Sequence, residues 1–268
     1  MLALRLSRSL NFKSLQLAAP HGTRSRASFH TEHLLRSSIS DPTVCEIIED
    51  SNDTRLDEVY KLRYEVASDI MDLSKHPQVV TLADGEKGVK DKLDEEESTV
   101  HFAVRNPNSG KVVASIRTVD ANASQLEMER YNWHNLDADL KAGGTVEWCR
   151  LVAHREARGT TAAPMLYIQS VRHHQERDVS NFVFMVDQKA TKLLDYYNKW
   201  TIAEQLTDAP VRCDEFEPGR KSYVMNMPMG AANTPARLKF QTMVYWPAVL
   251  GTCFMKSYRD MPAAPALV

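Results

Sequence analysis

Two apolar runs, Val100–Arg105 and Lys111–Val119, are separated by Asn106-Pro107-Asn108-Ser109-Gly110, an unbroken stretch of turn-forming residues. Proline pre-sets one turn dihedral, glycine accepts the left-handed region, and asparagine bonds back to its own backbone. The stretch therefore reads as an antiparallel hairpin, which makes 100–105 and 111–119 neighbours in one sheet. Thr145–His154 is a further strand-like run, Ala162–Gln175 has helical patterning, and Asn181–Val186 is a strand again. Asp187–Lys199 is expected to be a helix, with Trp200–Leu206 and Lys221–Met227 as closing strands.

Upstream, residues 44–48 make a short first strand. Leu56, Val59, Leu62, Val66 and Ile70 recur at helical spacing across 53–73, with Asp53 as the expected cap. Residues 74–98 show little periodicity and read as loop. The whole order predicts an α/β fold, a mixed central sheet flanked by helices.

Charge divides the chain. Residues 1–40 contain six Lys or Arg and one acid, leaving 27 basic against 34 acidic residues in 41–268. The mildly acidic body has no basic face suited to nucleic acid. The first 40 residues are Arg- and Ser-rich, with leucines that line one helical face, which is the composition of an import signal for a mitochondrion or plastid; a disordered basic tail is the alternative. No apolar run is long enough to predict a transmembrane segment. The expected organisation is a leader over 1–40, a domain over 41–230, and a C-terminal extension, 231–268, packed on it. Cys45, Cys149, Cys213 and Cys253 lack metal or CxxC spacing and read as isolated thiols. His173-His174 with Glu176 lacks a further ligand, so no metal is expected and the pair reads as a solvated helix face. Tyr196, Tyr197 and Trp200, in and after the following helix, read as core rather than as a binding platform.

Ions inside apolar strands carry the functional signal. Arg117 follows Val112, Val113 and Ile116; Arg150 lies between Cys149 and Leu151; Glu147 lies between Val146 and Trp148. Desolvating each ion costs several kcal/mol unless it is paired, so such residues need partners. Asp91, Asp94 and Glu147 are the natural carboxylates for the two arginines. The same ions serve equally well to tie the first helix and the 74–98 segment to the sheet.

Four pieces in order, Tyr60-Lys61-Leu62-Arg63, Asp91-Lys92-Leu93-Asp94, Ser115-Ile116-Arg117 and Glu147-Trp148-Cys149-Arg150, resemble the motifs of the acyl-homoserine-lactone (autoinducer) synthases. The likeness spans roughly residues 44–230. It implies the GNAT acyltransferase fold and acylation of an amine by a thioester. By that resemblance Glu147 is the expected base, directly or through water, and Arg63, Asp91, Asp94, Arg117 and Arg150 shape the acceptor pocket. Two departures bear on the substrates. Where the family places an aromatic residue and a tryptophan on the first helix, this chain has Ala67 and about Leu73. Long-chain N-acyl amino acid synthases, which acylate ordinary amino acids, match as well as the enzymes that use S-adenosylmethionine. The pyrophosphate loop of coenzyme A-dependent relatives is broken, with Glu156 and Thr161 at its end positions; Gly159, Arg155 and Arg158 are left to meet a phosphate. An acyl carrier protein, whose pantetheine arm bears one phosphodiester, fits such a loop as well as coenzyme A does. No resident cofactor is implied, since the acyl thioester is a co-substrate. Three readings follow: an N-acyltransferase acting on an amino acid or related small amine, an acyl-lactone synthase using S-adenosylmethionine, and a non-catalytic protein of the fold that binds acyl carrier protein or a partner.

Overall fold

The computed structural model describes residues 45–229, apart from 132–135, 137, 159, 192–193, 196, 198–202 and 214–218. The expected leader, the C-terminal extension, Gly159, Tyr196 and Trp200 therefore lie outside the described residues. The hairpin is present as β4 (Thr99–Arg105) and β5 (Val112–Asp120), paired antiparallel. Its turn is built by Asn106, whose Oδ1 accepts from the Asn108 backbone N–H at 2.9 Å, and by Gly110 at φ 72°. On one side of the hairpin lies β1 (Cys45–Ile48), antiparallel to β4; on the other, β6 (Thr145–Ala153) runs antiparallel to β5.

From β6 the chain passes through helix α4 (Ala162–Gln175) to β7 (Asn181–Asp187), which lies parallel to β6. β10 (Lys221–Pro228) is antiparallel to β7, and two short strands, β8 (Glu204–Gln205) and β9 (Val211–Arg212), pair with β10. The described sheet thus runs β1-β4-β5-β6-β7-β10-β8, mixed as expected. Period-two alternation sorts the side chains. Phe102, Ile116, Val146, Trp148 and Phe182 share a core with Leu166 of α4. His101, Ala103, Arg117, Glu147 and Cys149 alternate with those positions and so take the other face, where α1 (Leu56–Ser68) packs through Val59, Tyr60 and Leu62.

Several expectations are corrected. Residues 74–98 are not merely loop: β2 (Val79–Thr81) and β3 (Lys87–Val89) form a separate hairpin, followed by a 3-10 turn over Lys92–Glu95. Their strands are too short to show periodicity, and Gly88 conceals the packing: a Cβ there would lie 2.8 Å from the Tyr60 Cβ, so only glycine brings this hairpin so close to α1. Two further short helices, α2 (Glu127–Arg130) and α3 (Ala138–Ala142), interrupt the irregular stretch before β6. Asp53 is not the cap of α1, which starts after Arg55; the Asp53 carboxylate instead accepts from the Arg55 N–H. His173 and His174 are buried rather than solvated: His174 Nε2 lies 2.8 Å from the Thr118 hydroxyl, and His173 packs edge-on against Phe102.

Candidate active site

β6 and β7 pair only from Thr145↔Asn181 to Trp148↔Phe184, although both strands continue. Beyond that point they part, and their facing peptide groups no longer pair with each other. A cavity of about 450 Å³ opens along the parting, with Glu147, Trp148, Arg150, Phe184 and Tyr197 among its walls. Ala67, Ile70 and Leu151 line its outer part; Ile70 is 72% and Leu151 40% exposed, so the cavity meets solvent there. Ala67 has no bulk to close that side.

At the inner end lies an ion cluster. Asp91 and Asp94 owe their spacing to a reciprocal cap. The Leu93 N–H donates to Asp91 Oδ1 at 2.8 Å, and the Asp91 N–H donates to Asp94 Oδ2 at 2.9 Å. Arg63, from α1, reaches both oxygens of Asp94 at 2.9 and 3.0 Å. Arg117, wholly buried on β5, donates to Asp91 at 2.7 Å, Asp94 at 2.8 Å and Glu127 at 2.9 Å. Arg150 reaches Asp91 at 2.8 Å and Glu127 at 3.2 Å.

The position of Arg150 depends on a bulge. Two residues, Arg150 and Leu151, stand opposite Ile116 between the pairs Cys149↔Arg117 and Val152↔Ser115, and Arg150 has φ 53°. Regular alternation would put Arg150 on the Trp148 face; the extra residue returns it to the face of Asp91 and Glu127. A left-handed non-glycine residue costs about 1 kcal/mol or more, a strain the two ion pairs offset.

Three buried guanidiniums thus meet three buried carboxylates, Asp91, Asp94 and Glu127. Arg130 stands at the rim, 3.9 Å from Asp91. Burial pushes the carboxyls of all three acids up, but the guanidiniums outweigh it: Arg117 foremost for Asp91, Arg63 for Asp94 and Arg150 for Glu127. All three end below the ordinary carboxylate range. His101, beneath Arg63 with Nδ1 3.3 Å from Nη2, is held neutral by burial and by that cation, its pKa lowered to about 3.

Glu147 is the fourth acid and has no cation in bonding distance among the described residues. It is fully buried, and its two oxygens accept the N–H groups of Glu127 and Met128 at the start of α2. Burial, followed by the charge of Glu127, raises its pKa to about 8 despite those hydrogen bonds. A carboxyl poised close to neutrality on a cavity wall can exchange protons with a ligand, which the three ion-paired acids cannot.

The residues expected from sequence divide accordingly. Glu147, Arg63 and Arg150 line the cavity, while Asp94 and Asp91 hold the two arginines, and Arg117 holds both acids, without lining it. Arg155 is largely exposed, 3.5 Å from Asp69, and the Arg158 Nε–H donates to the Ala153 carbonyl; neither lines the cavity. Glu127 was not expected. It is an acid between Leu126 and Met128, the same ion-among-apolar signal that marked Arg117. Cys45, Cys149 and Cys213 are free and buried; Cys149 accepts from Arg117 Nε at 3.2 Å, and burial holds its thiol far above the usual range, protonated.

No known family model matches the chain, and no curated protein sequence does. Solved structures do match in shape. TofI, solved in a ternary complex with an inhibitor and MTA, superimposes with a TM-score of 0.54 at 16% identity, over 77% of this chain and 99% of TofI. For the AHL synthase LasI the TM-score is 0.54 at 12% identity, over 76% and 94% of the two chains. For BjaI, a CoA-dependent acyl-homoserine lactone synthase solved with MTA, it is 0.52 at 14%, over 82% and 95%. The fold is therefore the one these synthases have, the GNAT-like α/β arrangement expected from the sequence.

Proposed function

We propose that this protein is an N-acyltransferase that moves a fatty acyl group from a thioester to the amine of an amino acid or related metabolite. The observation that carries the reading is the cavity between the parted strands β6 and β7, open and apolar at one end and walled at the other by Glu147. An acyl thioester on a pantetheine arm is a narrow chain with amide groups, and the unpaired edges of parted strands offer it peptide partners. The apolar outer part around Ala67 and Ile70 suits the acyl chain. The amine nitrogen attacks the thioester carbonyl; a C–N bond forms, the C–S bond breaks, and the thiol leaves with a proton. Backbone N–H groups on the β7-facing edge of β6 beyond Trp148 are the candidate donors for the carbonyl oxygen as it gains charge. Glu147 takes the proton shed by the amine, through a water admitted with the substrates because its carboxyl is buried. Arg155 and Arg158 are the candidate contacts for the donor's phosphate. BjaI has been solved with SAM and isopentyl-CoA, so coenzyme A thioesters and S-adenosylmethionine belong in the assay beside acyl carrier protein.

The test is thiol release with product mass read in parallel, offering acyl carrier protein and coenzyme A thioesters of several lengths with mixed amino acids or S-adenosylmethionine. An N-acyl product is expected, with Glu147→Gln lowering kcat by about 100-fold or more, the scale of general base catalysis. An acyl-lactone product would replace the acceptor assignment. Thioester binding without turnover, unchanged by that substitution, would make the protein a non-catalytic member of the fold.

A further inference from the structure

The cavity contains a charged pair that acyl transfer does not require. Arg220, just ahead of β10, and Asp187, at the end of β7, both line it. The contact is side-on: Arg220 Nε lies 2.9 Å from Asp187 Oδ2. The two terminal nitrogens of Arg220 make no hydrogen bond to any described residue, and the side chain is 36% exposed. The ion contact with Asp187 lacks hydrogen-bond geometry, and among the described residues the planar fork of terminal N–H groups, the part that receives a carboxylate, is left without a hydrogen bond. The other guanidiniums on the cavity wall, Arg63 and Arg150, meet carboxylates through their terminal nitrogens.

Cys213 connects this pair to the acid end. It lines the same cavity as Glu127, Asp187 and Arg220; burial raises its thiol pKa most, the Ser222 hydrogen bond and Arg220 lower it, and Glu127 and Asp187 raise it. The cavity therefore presents Glu127 and Glu147 on the side of β6 and α2, and on the side of β10 a cation, paired with Asp187, whose terminal donors meet no described residue. A short ligand with a basic nitrogen and a carboxylate complements both.

We propose that Arg220 binds the carboxylate of the acceptor, so that the acceptor is a free α-amino acid or a similarly short zwitterion, its nitrogen directed to Glu147. The identity of the ligand as an acceptor rests on the acyltransferase reading; its binding does not. A phosphate of the thioester donor is the other anion that could use the same fork, and the assay separates the two.

The test uses the full chain and three variants, Arg220→Gln, Arg220→Lys and Glu147→Gln. The probes are α-amino acids, each beside its primary amide and its decarboxylated amine, measured by calorimetry without thioester and by turnover with one. Wild type is expected to prefer the carboxylate-bearing member of each set. Arg220→Gln should raise the KM for the amino acid about tenfold or more, the scale of lost charge-assisted hydrogen bonds. Its kcat should hold within a few-fold, and Arg220→Lys should recover part of the loss. The amide and the amine should be unaffected. A wild type indifferent to the carboxylate, an equal loss on all three probes, or a shift in the thioester KM instead would overturn the inference. Amino-acid binding that depends on Arg220 without any turnover would sink the acyltransferase reading and leave the inference standing. Turnover of amino acids indifferent to Arg220 would do the reverse.

Discussion

At the scale of single residues, the unequal treatment of four neighbouring acids sets the behaviour with pH. Glu147 binds its proton more tightly when folded, with a pKa of about 8, than when unfolded, near 4.5. Its contribution to stability is thus fully present below pH 4.5 and lost as pH rises to about 8. His101 and His174, both lowered to about 3 when folded, act oppositely: stability rises with pH up to about 6.5 and is level above it. Between pH 6.5 and 8 the Glu147 effect is left, and the melting temperature is expected to fall over that window. Glu147→Gln, which mimics the protonated acid, should flatten the decline; a slope as steep as in wild type would contradict the raised carboxyl. Arg117 is the cation common to Asp91, Asp94 and Glu127. Arg117→Met should therefore lower stability in urea titration by about 3–5 kcal/mol, through the carboxylates left behind rather than the volume changed. Much of this cluster was legible in the chain, because an ion in an apolar strand demands a partner and Asp91 with Asp94 matches a motif of the family the sequence resembles. Glu127 and the bulge at Arg150 were not. Glu127 has two apolar neighbours but no strand period around them to show that it is buried, and a bulge changes which face a residue takes without changing its neighbours in sequence.

At the scale of elements, the strands of the hairpin and of the crossover were readable because each is long enough to alternate and is bounded by turn residues. The elements that hold the site were less so. The 3-10 turn, α2 and the β2–β3 hairpin are three or four residues per element, below the length at which a period shows. Their placement comes from tertiary contacts such as that between Gly88 and Tyr60. The return of the crossover is set by another glycine. Gly144, immediately before β6, has φ 75°, and a Cβ there would lie 2.7 Å from the Asp178 carbonyl oxygen. Gly144 also accepts the backbone N–H groups of Ser180 and Asn181 at 2.9 and 3.1 Å, fixing the start of β7 against β6. Gly144→Ala combines a left-handed position with a backbone clash. It should cost about 1–3 kcal/mol and lower the melting temperature; an unchanged midpoint would mean that this junction yields.

For the molecule as a whole, β1, β4, β5 and β6 make one half of the sheet, with Glu147 on β6 and Arg117 on β5, which reaches Asp91, Asp94 and Glu127; β7, β10, β8 and β9 make the other, with Asp187 at the end of β7 and Arg220 just ahead of β10. Between β6 and β7 only the residue pairs from Thr145↔Asn181 to Trp148↔Phe184 are joined. Two rigid leaves fastened along a short length behave as a book on its spine. Thermal motion has its softest mode in opening and closing the leaves, and the amides at the free end of the spine, near Trp148 and Phe184, feel it most. A ligand that grips both leaves, acid side and Arg220 side together, acts as a clasp, and its affinity includes the stiffness it imposes. Amide exchange at 145–148 and 181–184 should slow when an amino acid and a thioester analogue bind together, while exchange in the β4–β5 hairpin stays as it was. Opening of the spine, rather than bond-making, would then be the motion that admits substrates and lets the acylated product leave.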